Sequence, residues 1–174
     1  MVLVVSSAEP MSADPASARA NVIELAERLR CLGWRIATAE SCTGGLIAST
    51  CTDLAGSSDW FDRGVVTYSN DSKTELLGVP HDVISAHGAV SEPVARAMAE
   101  GALARSPAQR AIAVTGVAGP GGGSADKPVG TVWIACAGTS IDTRARRLLF
   151  DGDRAAVRQQ TVVEALRLVL QSLP

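Results

Sequence analysis

Residues 34–45 read WRIATAESCTGG, and this stretch decides the fold class. Its first half, WRIATA, has the apolar and β-branched character of a short strand. Its second half, ESCTGG, leads into LIASTC (residues 46–51), whose apolar spacing is helical. A strand that passes within a few residues into a helix is the building unit of α/β domains. Upstream, Val22, Leu25, Ala26, Leu29 and Leu32 recur at helical spacing, and Gly33 stops the run. Downstream, WFDRGVVTYS (residues 60–69) predicts a strand whose interior Gly64 marks a bulge or a close backbone approach. Residues 73–77 and 82–86 predict short helical turns. Ser91 is an N-cap for a helix carrying Val94, Ala97, Met98, Gly101 and Ala102 on one face. AIAVT (residues 111–115) predicts a buried strand, followed by a glycine-rich loop over residues 116–127. Residues 130–137 and 144–150 predict two more strands. A closing helix follows with Val162, Ala165, Leu166 and Val169 on its core face.

This alternation predicts a three-layer α/β/α sandwich. The last two strands are separated by about six residues, too few for a parallel crossover, so the sheet is expected to be mixed and mostly parallel. The 174 residues suit one domain, assigned to residues 16–174. Residues 1–15, rich in Ser, Ala, Pro and Asp, read as a disordered tail. No apolar run reaches the ~18 residues of a membrane span, and the apolar opening lacks a charged flank, so no membrane partner and a cytoplasmic location are expected. Cys31, Cys42, Cys51 and Cys136 form no CxxC pair, which predicts free thiols and no metal site.

A net charge of −2 and only six aromatic residues argue against nucleic acid as a partner. Charge is uneven, however. From Arg144 onward six Arg face three acids, enough for a local anion site. Arg154 opens the last helix, where a guanidinium can clamp a phosphate bidentately or simply offset Asp151 and Asp153. The glycines at 119–123 form no phosphate-loop or dinucleotide motif, because this loop leads into a strand and not a helix. Thr115 and Gly116, at the end of a buried strand, either let backbone approach a ligand or begin a plain surface turn.

Ser41 sits where a strand ends and a helix begins, with Thr43, Gly44 and Gly45 behind it. Two readings compete: a nucleophile for acyl transfer beside helix N-terminal amides, or an ordinary N-cap. His81 and His87 lie in a polar region and read as surface residues, and Cys42 reads as packing. The chain uses 14 Arg and two Lys, Lys73 and Lys127. Arg stays charged, whereas a desolvated Lys can lose its proton, so Lys73, five residues after the single tyrosine Tyr68, is either a candidate base or one of two lysines left by chance.

Together these segments resemble the C-terminal domain of the competence-damage-inducible CinA family. The matching stretches are TAESCTGG from Thr38, GVVTYSNDSK from Gly64, LGV from Leu77, GAVSEPVA from Gly88, TGVAGPGGG from Thr115, KPVGTVWIA from Lys127, and FDGDR from Phe150, in family order. The chain departs at Ala55, where the family often has Pro. The resemblance implies a metal-free and cofactor-free amidohydrolase acting on a small-molecule nucleotide. The reaction is deamidation of nicotinamide mononucleotide to nicotinic acid mononucleotide and ammonia in pyridine nucleotide salvage. It implies Ser41 as nucleophile, Lys73 as its base and Tyr68 as an assisting group. Thr43, Gly44, Gly45, Asn70, Thr115 and Gly116 line the substrate, and Arg154 meets the phosphate. Backbone carbonyls or a carboxylate such as Glu40 are the expected neighbours of the pyridinium cation. A homo-oligomer is expected. The alternative is a non-catalytic module that binds a pyridine nucleotide or a partner protein.

Overall fold

The computed structural model describes residues 15–174. Its elements in chain order are α1 (Pro15–Leu32), β1 (Ile36–Glu40), α2 (Leu46–Thr52), β2 (Phe61–Val66), α3 (Asn70–Leu77), α4 (His81–His87), α5 (Glu92–Ala104), β3 (Arg110–Gly116), β4 (Thr131–Gly138), β5 (Ile141–Leu149) and α6 (Arg154–Leu170). The expected tail lies outside the described residues except for Pro15, which opens α1. No helix among the described residues is long and apolar enough to cross a membrane.

The strands form one sheet in the order β2-β1-β3-β4-β5. β1 pairs in parallel with β2 and with β3, whereas β4 runs antiparallel to both β3 and β5. The mixed α/β sheet is therefore as expected, with β4 alone opposing the other four strands. The connection between β4 and β5 differs from expectation. It is two residues, Thr139 and Ser140, and β5 starts at Ile141. Ser140 takes a positive φ of 64°, as a tight hairpin turn demands.

Side chains alternate across a strand with period two, and here the two faces differ in size. Ile36, Ile112, Val114 and Ile134 face α1, α2 and α6, and pack with Leu25, Leu29, Ile47 and Leu166. Ala37, Ala39, Ala111, Ala113, Ala135 and Ala137 form the opposite face, under Val94 and Met98 of α5. An alanine face lets α5 lie close to the sheet, and the closeness extends to its neighbours. A Cβ on Gly101 would stand 2.0 Å from the Leu77 carbonyl oxygen, where α5 meets the end of α3. Gly101→Ala therefore forces the two helices apart and is expected to cost about 1–3 kcal/mol. Thermal melting checks this, at about 2–4 °C per kcal/mol for a domain this size. Gly64 shows the predicted close approach, since a Cβ there would meet the Ala48 Cβ at 2.8 Å and the Thr38 hydroxyl at 2.9 Å. The bulge in β2 lies earlier, where Asp62 is skipped between the Ile36–Phe61 and Ala37–Arg63 pairs. Gly64 thus seats α2 against the sheet beside Thr38 of β1.

Candidate active site

Parallel strands β2, β1 and β3 end on one rim of the sheet, where ligands of open α/β sheets bind. β1 ends at Glu40, and the next amide, that of Ser41, donates to the Val114 carbonyl of β3 at 3.0 Å. The chain then turns through Gly44 (φ 59°) and Gly45 (φ 97°) into α2. Ser41 is left half-buried on the rim. Thr115 and Gly116 finish β3 immediately beyond Val114, on the same rim. The Thr115 hydroxyl donates to the Ala89 carbonyl at 2.9 Å and so ties the loop before α5 to this edge.

Lys73 comes from the first turns of α3. Ser69 caps that helix by accepting from the Ser72 amide at 3.1 Å, which turns the side chain of Lys73 back toward the rim. Its Nζ lies 3.2 Å from Ser41 Oγ, 2.7 Å from the Thr67 carbonyl and 3.4 Å from the Ser69 carbonyl. Only 1% of Lys73 is exposed. Among the described residues no carboxylate lies within ion-pair distance of it. Desolvation therefore holds the amine below its ordinary value. As an ammonium, Lys73 donates to all three oxygens; once the amine loses its proton, two N–H groups remain for the two carbonyls and the lone pair faces the Ser41 hydroxyl.

Cys42, next to Ser41, is buried, and burial pushes its thiol up to about 11. It is an unreactive packing group at neutral pH. His81 and His87 stand exposed at the two ends of α4.

Tyr68 is 63% exposed. Its hydroxyl accepts from Arg154 Nη2 at 3.0 Å, while Arg154 Nη1 donates to the Gly119 carbonyl at 2.9 Å. The structure thus joins Tyr68 to Arg154 and Lys73 directly to Ser41. Asn70 opens α3 on the exposed side, and Gly44 is exposed at the turn.

Thr43 and Glu40 are buried together beneath the rim, and for Glu40 this corrects the sequence expectation. Thr43 is fully buried, and its hydroxyl donates to Glu40 Oε2 at 2.6 Å, so any contact of Thr43 with a substrate runs through its backbone. Glu40 is 1% exposed, and its oxygens accept from the amides of Gly45, Ile47 and Ala48 at 2.8–3.1 Å. It faces inward and is not a direct neighbour for a substrate cation. The same bonds occupy the first amides of α2, so that helix terminus does not offer them to an oxyanion. A further anchor, Arg158, donates to the Thr43 carbonyl at 2.8 Å. Its signal in the sequence is the four-residue spacing from Arg154, which puts both guanidiniums on one face of α6.

Comparison with known proteins places this arrangement. The model of the CinA C-terminal domain matches residues 19–173. The chain belongs to the CinA C-terminal domain family. A relative from Enterobacter agglomerans, named nicotinamide-nucleotide amidohydrolase PncC, is 52% identical, the match covering 86% of this chain and 91% of that one. A CinA-like protein from Syntrophobacter fumaroxidans is 53% identical over 84% of this chain, but this chain spans only 34% of its length. CinA-type domains thus occur both as most of a short protein and as about a third of a longer one. The crystal structure of a competence/damage inducible protein from Agrobacterium tumefaciens superposes with a TM-score of 0.87 at 42% identity, covering 95% of this chain and 98% of that one.

Proposed function

We propose that this CinA-type domain hydrolyses the carboxamide of nicotinamide mononucleotide, giving nicotinic acid mononucleotide and ammonia, with Ser41 as nucleophile and Lys73 as base. One observation carries the reading: a buried lysine with no carboxylate partner among the described residues stands 3.2 Å from a rim serine. The name of the Enterobacter agglomerans relative supports the substrate. In the first half-reaction Lys73 takes the Ser41 proton as Oγ attacks the carboxamide carbon. The Lys73 ammonium then protonates the departing nitrogen, so ammonia leaves and an ester on Ser41 remains. In the second half, water attacks the ester with Lys73 again as base, and the acid leaves with Ser41 restored. Tyr68 assists by holding Arg154. Gly44, Gly45, Asn70, Thr115 and Gly116 line the substrate, with the Thr43 backbone beside them. The domain that carries the activity spans residues 16–174, and we place it in the cytoplasm as a homo-oligomer. Exposed Val66, Leu76 and Leu149 support the oligomer, which light scattering checks.

Ammonia release from nicotinamide mononucleotide by the purified protein tests the reading directly. Binding without turnover overturns it in favour of a nucleotide-binding module. Recognition is tested separately at Arg154, whose guanidinium is exposed above the start of α6 and retains donors beyond its bonds to Tyr68 and Gly119. Losing a charged hydrogen-bond partner costs about 1.5–3 kcal/mol, roughly ten- to a hundredfold. Arg154→Ala is expected to raise KM for the mononucleotide by that factor with a smaller change in kcat. The nicotinamide riboside, which lacks the phosphate, is expected to be a poor substrate that the substitution hardly affects. Equal losses for both compounds move the phosphate to Arg158.

A further inference from the structure

We infer that Glu40 is the positioning residue of this site: its carboxylate, acting through Thr43 and the start of α2, holds the Ser41 hydroxyl against Lys73. The inference rests on the reading of Ser41 and Lys73 as the reacting pair. Glu40 is the last residue of β1 and Ser41 is the next, yet their side chains have opposite fates: one is buried under the rim, the other opens on it. Glu40 Oε2 gathers the Thr43 hydroxyl at 2.6 Å and the amides of Ile47 and Gly45 at 3.0 and 3.1 Å, while Oε1 takes the Ala48 amide at 2.8 Å. No Lys or Arg lies within ion-pair distance of it among the described residues.

Burying a carboxylate among neutral donors is costly, and capping a helix needs no more than a hydroxyl. What the longer carboxylate adds is reach, because one side chain closes the whole segment between Ser41 and α2. The two glycines in that segment accept many conformations, and α2, at seven residues, is too short to hold its own first turn. Ser41 is pinned on one side by its amide on Val114, and Thr43 is gripped at its hydroxyl by Glu40 and at its carbonyl by Arg158. With both ends held, the Ser41 side chain keeps the 3.2 Å contact that proton transfer needs.

The test uses the full chain and two readouts: steady-state ammonia release, and the rate at which a fluorophosphonate labels Ser41 with loss of fluoride, followed by mass spectrometry. Glu40→Gln keeps the shape but turns an NH2 toward amide donors. Both kcat and the labelling rate are expected to fall about a hundredfold, the effect of a small misplacement, with KM within about threefold of wild type. Thr43→Val removes the hydroxyl that transmits the hold and is expected to cost about tenfold in both rates. Because Glu40 acts through Thr43, the double variant is expected to be no worse than Glu40→Gln alone. A folded Glu40→Gln protein with both rates within about threefold of wild type overturns the inference, as do strictly additive losses. Should Glu40→Gln fail to fold, Thr43→Val decides, and unchanged rates there overturn it. A wild type that is labelled at Ser41 but releases no ammonia sinks the substrate reading alone, and the labelling rates still decide the role of Glu40.

Discussion

Ser41→Ala abolishes ammonia release from nicotinamide mononucleotide, with an expected loss in kcat of about 10⁴-fold or more. The oxygen it removes is the atom that would bond to the substrate carbon, so no neighbouring group replaces it. Cys42 is turned into the core with its thiol pushed up to about 11, and the Thr43 hydroxyl is spent on Glu40. The fold keeps its support because the anchoring contacts of this residue are backbone ones, its amide on Val114 and its carbonyl under the Gly44 amide. The melting temperature is therefore expected to move by less than about 2–4 °C, the equivalent of ~1 kcal/mol in a domain this size. KM changes little, since Arg154 and not Ser41 is assigned to the phosphate. Activity persisting within about tenfold overturns the acyl-enzyme route and leaves a water activated directly by Lys73. Ser41→Cys is expected to retain part of the first half-reaction, because a thiolate is a competent nucleophile.

What the sequence made legible were the features encoded locally. β1, the loop over residues 41–45 and α2 follow one another within twenty residues, and each carries its own signal. Those signals are a β-branched run, paired glycines and helical apolar spacing. Lys73 stood out by rarity beside 14 Arg. β5 begins at Ile141, three residues before the start its sequence predicts, because Asp142 and Thr143 interrupt the apolar run at the hairpin end of this edge strand. The partners of Tyr68 and Thr43 were beyond local reading, for Arg154 is 86 residues from Tyr68, and Arg158 is 115 from Thr43. Glu40 is the instructive case. With period two, Ile36, Thr38 and Glu40 point to one side of β1, and Ile36 lies in the core under α1, α2 and α6. Strand parity alone therefore turns Glu40 toward α2 and away from a ligand. Its sequence position beside Ser41 had drawn it into the substrate site instead.

Lys73→Met is expected to remove activity and raise stability together. A methionine fills the same space without a charge to desolvate, and burial lowers the Lys73 amine with no carboxylate among the described residues in ion-pair reach to offset the cost. The sign of the pH dependence follows from the direction of that shift. Between the lowered folded value and the ordinary 10.5, the unfolded chain binds a proton that the folded chain does not, so wild-type stability rises with pH across that window. Below the window both states are protonated, and the folded state carries the full cost of a buried ammonium. The advantage of Lys73→Met is therefore largest at low pH and shrinks as pH approaches the ordinary lysine value. Melting curves of both proteins over a pH series measure it. Activity mirrors the same titration: the base form is lost as pH falls through the lowered value, giving kcat/KM an acid limb with a slope of one. Lys73→Arg keeps the charge but cannot accept a proton, so it is expected to be as inactive as Lys73→Met, at least about 10³-fold below wild type. An active Lys73→Arg enzyme, or a stability difference between Lys73→Met and wild type that does not vary with pH, shows that Lys73 keeps its proton. Ser41 must then be activated by a group other than Lys73.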